Sequence, residues 1–173
     1  MTQEEIGGLL RLAAGETNRT TFAGQEVSQL AYPSAGAAGA VSLHVWVQGT
    51  GSELDGALWR YIPQYHGLTD RRPLTLKEIE RGFAVTYSGA LSLDRISLMC
   101  FLTLRLNVLS IKYGARAYRL GHLEAGHLAQ NLLLTACAEG RAAIPWGGFF
   151  DDIISASLAL SPEEVCIYAI PIG

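Results

Sequence analysis

Hydrophobic positions along the chain fall into stretches of two different periods. Between residues 41 and 48, Val41, Leu43, Val45 and Val47 alternate with polar or bulky neighbours. That period-two pattern, rich in β-branched residues, predicts a strand. Gly49-Thr50-Gly51-Ser52 is a turn, and residues 56–62, with Trp59, Tyr61 and Ile62, read as a second strand pairing with the first. Helical spacing governs residues 4–15, where Ile6, Leu9, Leu10 and Leu12 recur before Gly15. Residues 16–39 are rich in Thr, Ser, Gly and Ala and read mainly as loop, with a helical turn or two from Ala37. Residues 63–72 read as a polar connector. A short helix is expected over residues 75–83, because Thr75 followed by Glu78 has the spacing of a capping box.

Residues 96–110 are largely apolar and are compatible with strand or buried helix. The clearest helix covers residues 122–139, with Leu123, Gly126, His127, Gln130, Leu133, Leu134 and Cys137 on one face and Gly140 as its stop. A β-rich run at 165–170 ends the pattern. The order of elements predicts a single α+β domain over residues 1–173, with an early antiparallel pair.

Composition narrows the function classes. Hydrophobic residues make up 49% of the chain and charged residues only 17%, a balance that favours an oligomer with an apolar interface. The net charge is -3 and there is no run of like charge, so no nucleic-acid partner is expected. Cys100, Cys137 and Cys166 lie far apart, each in an apolar run. They are expected as buried reduced thiols in a cytoplasmic protein, with neither a disulfide framework nor a metal site. The N-terminal Met1-Thr2-Gln3-Glu4-Glu5 does not read as a secretory signal. No apolar stretch reaches the roughly 18 residues of a membrane span.

Four elements depart from what a plain core requires. Pro33-Ser34-Ala35-Gly36 sets a hydroxyl and backbone amides before a helical turn, suited to phosphate or a flavin ring edge, and equally to an ordinary capped turn. Lys112-Tyr113-Gly114 precedes Arg116 and Arg119 in a chain with only two lysines. An ammonium beside a phenol favours phenolate and makes Tyr113 a candidate proton acceptor; on a strand the two side chains would act together only across a bulge, which Gly114 permits. Glu124 and His127, one helical turn apart and leading to Gln130-Asn131, are expected to satisfy one another and cap neighbouring elements. Ile144-Pro145-Trp146-Gly147-Gly148-Phe149 places two glycines between aromatics, where a flat ligand could approach the backbone and Trp or Phe could cover it.

In this order the four elements resemble the SagB-type branch of the nitroreductase superfamily. The block from Leu104 to Phe149, with Lys112-Tyr113-Gly114, Arg116-Ala117-Tyr118-Arg119, Leu123-Glu124-Ala125-Gly126-His127 and Ala129-Gln130-Asn131-Leu132, follows that pattern most closely. The resemblance implies a nitroreductase-like α+β fold with an antiparallel-containing sheet flanked by helices, and a dimer binding FMN at the subunit interface. It implies oxidation of thiazoline or oxazoline rings to azoles in a modified peptide, with Lys112 and Tyr113 catalytic. Pro33, Ser34, Ala35, Gly36, Pro145, Gly147 and Gly148 are the expected cofactor-binding residues. Against the family pattern the chain begins at its second helix, short at the N-terminus. The Arg-Arg-Ser-x-Arg segment that holds the FMN phosphate has no counterpart, and Arg11 and Arg19 stand alone. Each such charged contact is worth on the order of 1.5–3 kcal/mol, so a partner chain is expected to supply them or FMN to bind weakly. The family's Ala-Leu-Tyr-Pro after Pro-Ser-Ala-Gly is replaced by Ala37-Ala38-Gly39-Ala40. Three functions follow as expectations: an FMN-dependent azoline dehydrogenase subunit, a non-catalytic subunit that completes or scaffolds a partner flavoenzyme, or another flavin oxidoreductase such as a nitroreductase or cyclic dipeptide oxidase. No Gly-x-Gly-x-x-Gly dinucleotide fingerprint follows a strand.

Overall fold

The computed structural model describes residues 1–22, 24–83 and 93–173. Helix α1 (Gln3–Ala14) is closed at its start by a capping box between Thr2 and Glu5. A hairpin of β1 (Glu16–Phe22) and β2 (Gln25–Leu30) follows where the sequence suggested loop. Both of its faces are largely wet, so it carries no alternation of apolar residues to betray it.

Strands β3 (Val41–Val47), β4 (Ala57–Ile62), β5 (Gly67–Pro73), β6 (Leu98–Arg105) and β7 (Glu164–Ile172) form an antiparallel sheet in the order β5-β4-β3-β6-β7. The expected pairing of β3 with β4 is present, with Leu43 opposite Tyr61 and Val45 opposite Trp59. The connector at 63–72 instead yields edge strand β5. Helix α2 (Leu76–Glu80) starts at the Thr75–Glu78 capping box, as expected. The ambiguous stretch at 96–110 contains both answers: β6 runs straight into α3 (Leu106–Tyr113). Helix α4 (Arg116–Ala138) begins earlier than its periodicity suggested, and α5 (Asp151–Leu158) precedes the last strand.

Strand alternation divides the core in two. Val41, Leu43, Val45 and Val47 point to one face and pack with Ile6, Leu9 and Leu10 of α1 and Leu128 and Leu132 of α4. Trp46 points to the other, with Leu58, Met99 and Phe101, under Ile79 of α2 and Ile154 and Leu158 of α5. The Trp46 indole donates to the Leu74 carbonyl at 2.6 Å, tying β3 to the start of α2.

Helix α4 faces the opposite way from its expected orientation. Its buried side is Ala117, Gly121, Glu124, Ala125, Leu128, Ala129, Leu132 and Ala136. Leu123 and Leu134 are 58% and 59% exposed, and His127, Gln130 and Cys137 lie outward with them. Small residues inward let the helix sit close to the sheet: a side chain at Gly121 would run into the Leu104 methyl groups. Cys100 and Cys166 are buried, as expected, but Cys137 is exposed on the outward face of α4. Among the described residues, no helix is long and apolar enough to cross a membrane, and no group of three His, Cys, Asp or Glu side chains could hold a metal ion.

Candidate functional site

Lys112 and Tyr113 are the last two residues of α3, so their joint action rests on a helix end rather than a strand bulge. Gly114 ends the helix with φ 53° and donates its N–H to the Ser110 carbonyl. Lys112 is exposed and Tyr113 half-buried. The Lys112 ammonium lies 5.4 Å from the centre of the Tyr113 ring, within cation–π range.

The turn after β2 comes to meet them. Gly36 has φ 60°, and a β-carbon there would overlap the Tyr113 hydroxyl and stand 2.9 Å from Lys112 Nζ. The backbone of the Pro33–Gly36 element and the Lys112–Tyr113 pair are therefore in direct contact. Only a residue without a side chain, in the left-handed conformation, allows that approach.

What fixes the turn is Glu124, which is 1% exposed in the middle of α4. Its carboxylate accepts from the Ser34 hydroxyl at 3.0 Å, the Ala35 N–H at 3.1 Å and the Val41 N–H at 3.2 Å. The Ser34 oxygen in turn accepts from the Gly39 N–H at 3.1 Å. The hydroxyl and amide expected to face a ligand are thus spent inside the protein. Glu124, His127 and Asn131 do not satisfy one another. Asn131 donates to the Ala13 and Ala31 carbonyls, tying α4 to the ends of α1 and β2, while His127 is exposed.

Two other phenols lie near the turn. Burial, reinforced by the charge of Glu124 and by Tyr61, pushes the Tyr32 hydroxyl far above its ordinary range. Burial likewise pushes Tyr61 up to about 12, and its oxygen lies 2.9 Å from His66 Nδ1. Neither environment favours a phenolate.

Pro145, Gly147 and Gly148 are exposed, and a side chain at Gly147 would meet open space. Trp146 between them exchanges both backbone hydrogen bonds with Ala169 of β7. Its ring is buried in the second core, 5.0 Å from the Phe83 ring, so it is not free to cover a ligand. Ala35 and Tyr113 pack on the first core, and Trp146 and Phe149 on the second. The expected cofactor residues thus form two separate segments, the Pro33–Gly36 turn against the end of α3 and the exposed Pro145–Gly148 stretch beside β7. Arg19, one of the two N-terminal arginines, is already paired with Glu16 through two hydrogen bonds. The exposed glycines of the second segment fit close backbone approach by a flat ring.

The second sheet face also carries a polar group that sequence reasoning passed over. Thr103 and Glu164 are hydrogen-bonded, and His44 Nε2 stands 3.7 Å from a Glu164 oxygen. The interaction with His44, together with the Thr103 hydroxyl and the positive charge of Arg105, outweighs burial and holds the Glu164 carboxyl down at about 2. The signal was present as polar or charged residues at same-parity positions of apolar strands: Ser42 and His44 in β3, and Thr103 and Arg105 in β6.

A family model described as "Nitroreductase family" matches residues 1–173. A protein of Methanocaldococcus jannaschii described as a nitroreductase, MJ1384, is 25% identical over the whole of this chain and 81% of its own length. A crystal structure of a protein from Anabaena variabilis, also described as a nitroreductase, superposes with a TM-score of 0.85 at 26% identity, covering 98% of this chain and 34% of that one. A chain of the E. coli microcin synthetase McbBCD complex, solved with truncated pro-MccB17 bound, superposes with a TM-score of 0.80 at 20% identity, covering 100% of this chain and 64% of that one. The chain thus spans about a third of the Anabaena protein and under two thirds of the E. coli one.

Proposed function

Because this chain belongs to the nitroreductase family, we propose that it is the FMN-dependent dehydrogenase subunit of a system that oxidises azoline rings to azoles in a modified peptide. The observation that carries this reading is the seating of Lys112 and Tyr113 against Gly36. That contact presents a base and its electrostatic partner beside an open backbone turn. Bound FMN supplies the acceptor for the hydride that leaves the ring. The chain's own task is the proton. The Tyr113 oxygen takes it from the ring carbon, and the Lys112 ammonium stabilises the charge of the phenolate form. The reverse assignment, with Lys112 as base, uses the same geometry.

The Ser34–Gly36 backbone would line the ring edge, and Pro145, Gly147 and Gly148 of a second chain would close the site. That chain is a second copy or a related flavoprotein subunit, docked on the outward apolar side of α4. The pro-peptide named with the E. coli complex is in line with a peptide substrate, although at 20% identity that structure carries the fold alone. The test is azole formation on the precursor peptide, read by mass spectrometry as loss of two hydrogens per ring. Both Lys112→Ala and Tyr113→Phe are expected to abolish it while flavin binding persists. Unchanged azole formation in both variants would refute the assignment.

The outward leucines of α4 favour a second reading, in which this chain completes a partner's flavin site without turning over itself. Absorbance spectra of the protein purified alone and with its genomic neighbours separate the two. A yellow protein, active by itself, rules the second reading out.

A further inference from the structure

We propose that Arg60 and Arg105 form an anion-binding subsite on the far side of the turn that touches Tyr113, taking a carboxylate or phosphate group. Its place beside the redox pair rests on the proposed function; its ability to bind an anion does not.

Strand register builds the subsite. Arg60 of β4 lies opposite His44, Ser42 lies opposite Thr103, and Arg105 closes β6 with its N–H on the Ala40 carbonyl. All share the sheet face of Trp46, Leu58 and Phe101. The apolar end of that face is roofed by α2 and α5. The polar end meets a cleft of about 370 Å³ at the end of the sheet, lined by Arg60, Arg105 and Ser42 of this face, by Val41 and Tyr61 of the other, and by Ala38 and Gly39. Ala38 and Gly39 belong to the same turn whose Gly36 meets Tyr113 and Lys112. An anion in the cleft would therefore hold one end of a molecule whose other end reaches the pair.

Glu164, opposite Arg105 across β6 and β7, shares its charge between that guanidinium, His44 and Thr103, and no acid is paired with Arg60 among the described residues. Glu26, across the cleft, faces solvent and stands 3.9 Å from Arg19. The Nε atom of Arg105 is buried with no hydrogen-bond partner, and Arg60 makes no hydrogen bond or ion pair among the described residues. A buried guanidinium N–H without an acceptor is costly, and two guanidinium groups on one cleft repel unless an anion joins them. Their planar forks match the oxygens of a carboxylate or phosphate.

The test follows the arginine Nε–Hε resonances of ¹⁵N-labelled protein titrated with succinate and with inorganic phosphate, ionic strength being held constant with chloride. The Arg105 signal, assigned by its loss in Arg105→Lys, is expected to move saturably. Arg60→Gln should weaken binding about tenfold or more. Arg60→Lys, which keeps the charge and guards against misfolding, should retain part of it. A parallel arm measures FMN and riboflavin binding by fluorescence. If Arg60→Gln weakens FMN and spares riboflavin, the anion is the cofactor's phosphate. If both flavins are unaffected while succinate binding is lost, it is a carboxylate of the substrate. Succinate binding without any flavin binding would keep the subsite and sink the redox reading. An Arg105 resonance that neither anion moves, or equal anion affinity in folded Arg60→Gln, would overturn the subsite.

Discussion

Replacing Glu124 by alanine removes an acceptor that three donors share, the Ser34 hydroxyl and the Ala35 and Val41 amides. The three losses are unequal. Ser34 and Ala35 are half-buried and can turn to water, whereas the Val41 amide lies inside the protein at the start of β3. An orphaned buried donor costs about 1–3 kcal/mol and a bond to a charged acceptor about 1.5–3 kcal/mol. Returning the carboxylate's own desolvation offsets part of this, so Glu124→Ala should destabilise by about 3 kcal/mol. With a urea slope of about 2 kcal/mol/M, the unfolding midpoint falls by roughly 1.5 M. Ser34→Ala, which removes one donor and frees the Gly39 amide, should cost about 1 kcal/mol. The pair should be coupled: in a double-mutant cycle the second loss should be smaller than the first by about 1 kcal/mol. A Glu124→Ala midpoint within roughly 0.3 M of wild type, or strict additivity of the two variants, would refute the clamp. Because the clamp presents Gly36 to Tyr113, Ser34→Ala should also slow azole formation while the protein stays folded.

Gly36→Ala tests the same contact from its other side. The left-handed backbone costs a β-carbon about 1 kcal/mol, and the overlap with the Tyr113 hydroxyl must displace the pair, so turnover should fall far more than stability. Glu164 has its folded-state carboxyl held near 2, against an ordinary 4.5. Its contribution to stability is present above about pH 4.5 and is lost as pH falls toward 2, so acid unfolding of Glu164→Gln should show a flatter dependence across that window. Steeper acid loss in the variant would contradict the sign. Leu123→Glu with Leu134→Glu should convert an oligomer to a folded monomer in analytical ultracentrifugation, and an unchanged sedimentation coefficient would count against the α4 interface.

Elements whose two faces differ in polarity were legible in the sequence. α1 shows it by helical spacing and α2 by its cap, while β3, although buried on both faces, betrays itself by Ser42 and His44 alternating with valine and leucine. Elements that are wet on both sides or apolar on both were not. The β1–β2 hairpin has no apolar period to display, and β6 and α3 are apolar enough in succession to hide the point where one becomes the other. The site was legible only as separate pieces. Lys112 and Tyr113 stood out by rarity and resemblance, but their meeting with Gly36 depends on where α4 holds the turn. The residue that does this, Glu124, was legible as a cap of neighbouring elements, but its partners, Ser34, Ala35 and Val41, lie 83 to 90 residues away in the chain.

The outward leucines of α4 and the two separate cofactor segments would both be met by one neighbour. A helix that buries Leu128 and Leu132 among alanines and Glu124 also holds Leu123 and Leu134 outward, where nothing among the described residues covers them. Each such leucine gains about 1.5–3 kcal/mol when covered. Covering them with a second chain of the same fold could also bring its Pro145–Gly148 edge to the Tyr113 of the first. A twofold arrangement makes that exchange reciprocal and gives two equal sites. A monomer would have to explain both features separately. Mixing equal amounts of Tyr113→Phe and Gly147→Arg protein therefore discriminates: shared sites predict recovery of azole formation to about a quarter of the wild-type level, as statistical mixing makes half the dimers heterodimers with one intact site in two. Self-contained sites predict none.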